Sequence, residues 1–132
     1  MCKSLMLKNI SKVYQDDNGE TMAIKDFSYT FKKGHFTSIV GPSGCGKSTL
    51  LSIICGLEKA SSGTIYMDNS ILTTKNHNIG YMLQRDYLLD WRTIYKNVLL
   101  GLEIRKTLNK ESEEYANFLL EKYGLAEFKN KY

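Results

Sequence analysis

A chain of 132 residues, 42% hydrophobic and 24% charged, has the length and composition of one modest globular domain with a core of its own. Its net charge of +4, from 18 basic and 14 acidic residues, is mild. It gives no argument for a nucleic-acid partner, and a nucleotide or an acidic membrane surface would suit it equally well. No run is long or apolar enough to cross a bilayer, and lysines break up the opening residues, which argues against a signal peptide.

In chain order, Leu5 to Ile10 with Val13 and Tyr14 reads as a first strand. A turn signal ending at Gly19 leads to a second strand from Ala23 to Phe31, alternating through Phe27, Tyr29 and Phe31. The connection is too short for a helical crossover, so an antiparallel pair is expected. Residues 35–40 form a short apolar run, expected as a strand. It is followed by Gly41-Pro-Ser-Gly-Cys-Gly-Lys47-Ser48-Thr49.

That stretch fits G-x-x-x-x-G-K-[ST], the P-loop that wraps nucleotide phosphates. A polyphosphate needs several backbone N–H groups turned inward over a tight loop. Gly41, Gly44 and Gly46 remove the Cβ atoms that would block the turn, while Ser43 and Cys45 offer their amides. Lys47 reaches the terminal phosphates as a point charge, and the Ser48 hydroxyl is placed to ligate Mg²⁺. A helix beginning near Lys47 and running through Thr49 towards Leu57 aims its positive end at the same anion. Strand, loop and helix is the order this chemistry demands.

Past that helix, residues 60–63 form a turn and residues 64–67 a short strand. Residues 73–78 read as polar loop, and residues 79–83 as a buried strand that delivers Gln84. From Thr93, an expected N-cap, the period becomes helical through Ile94, Val98, Leu99, Leu102 and Ile104. A second helix is expected from Glu111 to Tyr123, acidic at its start and stopped by Gly124. Cys2, Cys45 and Cys55 are odd in number and lack metal-ligand spacing, so reduced thiols are expected.

Tyr14, the P-loop with Leu50, Gly56-Leu57, Ser62-Gly63 and Leu83-Gln84 together resemble the ATP-binding subunit of ABC transporters. The tract from Gln84 through Trp91 to Asn97-Val98 is similar to the importer branch that handles nitrate, sulfonate or taurine. The resemblance covers essentially the whole chain but only the first part of the family's domain. It implies an α/β P-loop NTPase fold with a small antiparallel β-subdomain, a P-loop strand and helix, and a helical subdomain beginning near residue 93. It also implies that residues 1–132 are the N-terminal part of one nucleotide-binding domain, lacking the signature motif, the catalytic glutamate and the later switch histidine; His35 and His77 lie too early to serve.

Residue by residue, the resemblance implies that Tyr14 stacks on adenine, where the alternative is an ordinary strand tyrosine. It implies that Gln84 touches Mg²⁺ or the attacking water and, with Lys47, carries the catalytic work. ATP and Mg²⁺ are then the ligands, held by Tyr14, residues 41–49 and Gln84. Leu88, Leu89 and Trp91 resemble the patch where a transmembrane permease subunit docks, the alternative being local core. Asp90 and Lys96 depart from the family pattern beside that patch, where a proline and a glutamate are usual. The implied protein lies peripherally on the cytoplasmic side of the membrane and energises import of small solutes as a homodimer of ATPase subunits. A nucleotide-binding module without hydrolysis and a P-loop enzyme of another class are the competing readings. Alone, the chain is expected to bind nucleotide weakly and to turn over none.

Overall fold

The computed structural model describes residues 4–17, 19–68, 70–72, 79–84 and 87–132. Cys2, His77 and the polar loop expected at residues 73–78 lie outside the described residues. The chain divides into two compact units, Met1–Tyr81 and Met82–Tyr132.

In the first unit, β1 (Ser4–Asp16) and β2 (Gly19–Lys32) form the expected antiparallel hairpin, longer at both ends than the apolar alternation alone indicates. β3 (Ser62–Met67) pairs antiparallel with the other edge of β1, and a two-residue β4 (Ser70–Ile71) extends the sheet to the order β2-β1-β3-β4. The pairing of β1 with β2 shifts register between Leu7 and Ile10, where Asn9 adopts φ 52°. That irregularity is pinned: Asn9 donates from its backbone to the Ser28 hydroxyl and from its side chain to Asp26. Gly63 approaches so closely here that a Cβ would strike the Asn9 carbonyl, which explains a glycine as the second residue of β3.

One helix, α1 (Lys47–Ile54), covers one face of this sheet. Its Leu50, Ile53 and Ile54 recur at helical spacing and bury against Leu7, Ile10, Ile24 and Ile65. Leu7 and Ile10 are the most enclosed side chains, so the core centres on the middle of β1.

Two expected strands are corrected. Residues 35–40 and 79–83 carry no ladder, and neither belongs to the sheet. Phe36 is 95% exposed and Val40 90% exposed; Met82 is also open to solvent, while Ile39 and Ile79 pack on the core. An apolar run becomes a strand only when a partner accepts its N–H and C=O groups. Among the described residues, no strand lies alongside either run.

In the second unit, α2 (Ile94–Ile104) and α3 (Lys110–Lys122) form as the periodicity predicts, burying Leu99, Ala116 and Leu120. Thr93 caps α2 by accepting from the Lys96 amide. Two further amides at the start of α2, those of Ile94 and Tyr95, donate to the carbonyls of Lys131 and Lys129. The last residues of the chain thus complete the cap of α2. Asn109 and Ser112 form a reciprocal capping box on α3, and Gly124, at φ 71°, follows its last turn. Among the described residues, no helix is long and apolar enough to cross a membrane.

Candidate functional site

The glycine-rich loop at residues 41–46 connects the unpaired run at 35–40 to α1. Gly44 and Gly46 take φ 80° and 91°, backbone that L side chains rarely adopt. Gly46 is also the N-cap of α1, and a Cβ there would strike the Ala23 carbonyl of β2. The loop is therefore seated on the sheet at a point only glycine fits.

Among the described residues, α1 has no side-chain cap and no acidic residue in its first turn. The first intrahelical bond returning to its N-cap is from the Leu50 amide to the Gly46 carbonyl, at 2.8 Å. Positive backbone dipoles at this end remain available to an anion. Ser43 and Ser48 are exposed, and Thr49 is half-buried.

Lys47 folds back over its own loop. Its Nζ donates to the carbonyls of Gly41 at 2.8 Å and Pro42 at 2.6 Å, and lies 3.5 Å from Cys45 Sγ. Cys45 is exposed, and its sulfur fills the space a Cβ at Gly41 would need, with 2.8 Å between them. A side chain at Gly41 would therefore require Cys45 to change rotamer. Cys55, half-buried beyond α1, has its thiol pKa pushed up by that burial.

Tyr14, on β1, stands at the other end of the site. Its phenol donates to Glu58 Oε2 at 2.6 Å and lies 3.4 Å from Thr49 Oγ1, so the ring's tip reaches the first turn of α1. Lys12 Nζ sits 4.8 Å from the ring centre, 3.4 Å from the same Glu58 oxygen, and donates to the Lys59 carbonyl at 3.0 Å. Glu58 and Lys12 are side chains that sequence reasoning missed. The only signal for Glu58 was its place directly after Gly56-Leu57, and Lys12 carried none.

Gln84 belongs to the second unit and is exposed there, at the end of residues 82–84. In the same unit Leu88 is 58% and Trp91 74% exposed, whereas Leu89 is half-buried. The segment carrying them is fastened by Asn97, whose side chain accepts from the Leu89 amide and donates to the carbonyls of Leu89, Arg92 and Thr93. Arg92 adds two 2.7 Å bonds to the Glu103 carboxylate. The structure therefore brings Tyr14, Lys47 and Thr49 together around α1 and presents Leu88 and Trp91 to solvent on a braced segment.

Residues 24–132 match the family model described as ABC transporter, and the chain belongs to that family. An uncharacterised ABC transporter ATP-binding protein of Bacillus subtilis, YtlC, is 45% identical over 128 residues, spanning 97% of this chain and 49% of its own length. The taurine import ATP-binding protein TauB of Pelagibacter ubique is 34% identical over 131 residues, spanning 96% of this chain and 48% of its own. A solved dimer of the ATP-binding cassette MJ0796, in a post-hydrolysis state with ADP and Pi, superposes at a TM-score of 0.80 with 33% identity, over 96% of this chain and 60% of that one. The fold is that of part of an ABC-type P-loop NTPase cassette. The chain spans about half the length of the curated relatives it matches.

Proposed function

We propose that this chain supplies the nucleotide-binding face of an ATPase subunit that energises import of a small solute. The observation that carries the reading is the loop itself. An uncapped helix start, left-handed glycines and one amine converge on a space suited to a polyphosphate. ATP then lies with its phosphates over residues 41–49 and its base against Tyr14.

On binding, Lys47 exchanges the Gly41 and Pro42 carbonyls for phosphate oxygens. The trade replaces neutral acceptors by charged ones and favours the bound state. Ser48 is the residue of the first unit that we assign to Mg²⁺, and Gln84, in the second unit, is a candidate ligand on the family resemblance alone. A hydroxyl and an amide oxygen are hard neutral donors of the kind Mg²⁺ accepts beside phosphates and water. Held by such donors, Mg²⁺ would supply charge neutralisation at the phosphates. Gln84 can orient a water but, as an amide, cannot take its proton. This chain's own residues therefore bind and orient, and hydrolysis is assigned to the complete dimeric subunit, peripheral on the cytoplasmic side of the membrane.

Leu88 and Trp91 are assigned to contact with a transmembrane permease, supported by their exposure on a segment held by Asn97. The taurine relative and the tract at residues 84–98 favour an importer of small solutes. The direct test is calorimetry of MgATP binding. Lys47→Ala should lose about 2–5 kcal/mol of affinity, the range for removing one partner of a close charge pair. Unchanged affinity would remove the assignment.

A further inference from the structure

We propose that Glu58 is a positioning residue for base recognition: with Lys12, it holds Tyr14 as a one-sided platform before any nucleotide arrives. The inference rests on the assignment of Tyr14 to the base and extends it to two residues that have no place in the phosphate loop.

A tyrosine on a strand can swing about two side-chain torsions, and a base stacking on it must arrest both. Here they are arrested already. The 2.6 Å bond from the phenol to Glu58 Oε2 has the length of a charge-assisted hydrogen bond, and it fixes the ring's far end. The carboxylate is itself anchored by Lys12, whose amine is 3.4 Å from that oxygen and is held by the Lys59 carbonyl. The same amine lies 4.8 Å from the centre of the Tyr14 ring. A cation over one face of the ring leaves the opposite face for a planar base. Thr49, 3.4 Å from the phenol, ties this platform to the first turn of the helix that meets the phosphates. The separation between base and phosphate sites is thereby set by side chains rather than by the nucleotide.

Ordering one side chain on binding typically costs an affinity factor of about two to ten, and a pre-ordered ring avoids that cost. A purely structural cluster would staple β1 to the turn after α1 and have no preference for a base. Inorganic tripolyphosphate separates the two, since it offers the phosphates alone. In the full chain, Glu58→Ala should weaken MgATP about two- to tenfold and leave magnesium tripolyphosphate unchanged. Tyr14→Phe, which keeps the ring and loses the phenol, should match it. The double variant should lose less than the sum of the two single losses, because the Tyr14–Glu58 bond is common to both. Glu58→Gln, which still accepts a hydrogen bond, should recover part of the loss and serves where Glu58→Ala folds poorly.

Equal weakening of both ligands by Glu58→Ala, or of neither, overturns the proposal, as do additive losses in the double variant. Failure of Tyr14→Ala to change the ratio of the two affinities is a different result: it removes the assignment of Tyr14 to the base, and this inference with it. A loss in Tyr14→Ala without one in Glu58→Ala or Glu58→Gln leaves that assignment standing and overturns the positioning role alone.

Discussion

The two ends of the proposed nucleotide site are built on opposite plans. At the phosphate end, Lys47 is bonded to carbonyls of its own loop, so its contacts must break for a ligand to enter. At the base end, the partners of Tyr14 come from β1, from α1 and from the turn beyond it, and none needs to leave. Charge explains the division. Phosphates attract a mobile cation strongly enough to repay its release from neutral acceptors, whereas stacking is weaker and gains most from a ring already in place.

The comparison breaks most visibly at Gly46. A Cβ there meets the Ala23 carbonyl while the backbone stays at φ 91°, so Gly46→Ala should cost about 3 kcal/mol of stability, the upper end for a strained backbone position. Urea unfolding checks the stability, and binding of both MgATP and tripolyphosphate should fall together. Tyr14→Ala sharpens the contrast from the other side. It should weaken MgATP by about 1–3 kcal/mol and leave tripolyphosphate unchanged, as read by competition calorimetry.

The smallest expected effect is chemical. With Cys2 replaced by Ser, a maleimide should label exposed Cys45 well before half-buried Cys55, and MgATP should protect Cys45 alone. Burial raises the Cys55 pKa, so at a given pH less of it is thiolate. Its labelling should become appreciable only at a higher pH than for an ordinary exposed thiol. Mass spectrometry of the labelled peptides reads both rates.

What was legible in the sequence followed the range of the interaction. The loop at 41–49, the caps Thr93 and Gly124, and the β1–β2 hairpin all depend on residues close in the chain, and spacing alone located them. Residues 35–40 and 79–83 have the composition of strands, but a ladder depends on a partner that composition cannot supply, and among the described residues neither has one. Glu58 stayed hidden for a related reason: its contact with Tyr14 spans 44 positions and exists only once α1 lies on the sheet. Asn97 could be quoted as part of a familiar tract, yet its work is backbone fastening, visible only where Leu89, Arg92 and Thr93 turn their polar groups towards it.

The central claim is one nucleotide laid across both ends of the site, and NMR titration of the labelled full chain tests it most directly. The amides of residues 41–49 should shift with either MgATP or magnesium tripolyphosphate, while the Tyr14 ring signals should shift with MgATP alone. Silent loop amides, or Tyr14 signals that move as far with tripolyphosphate as with MgATP, would contradict it.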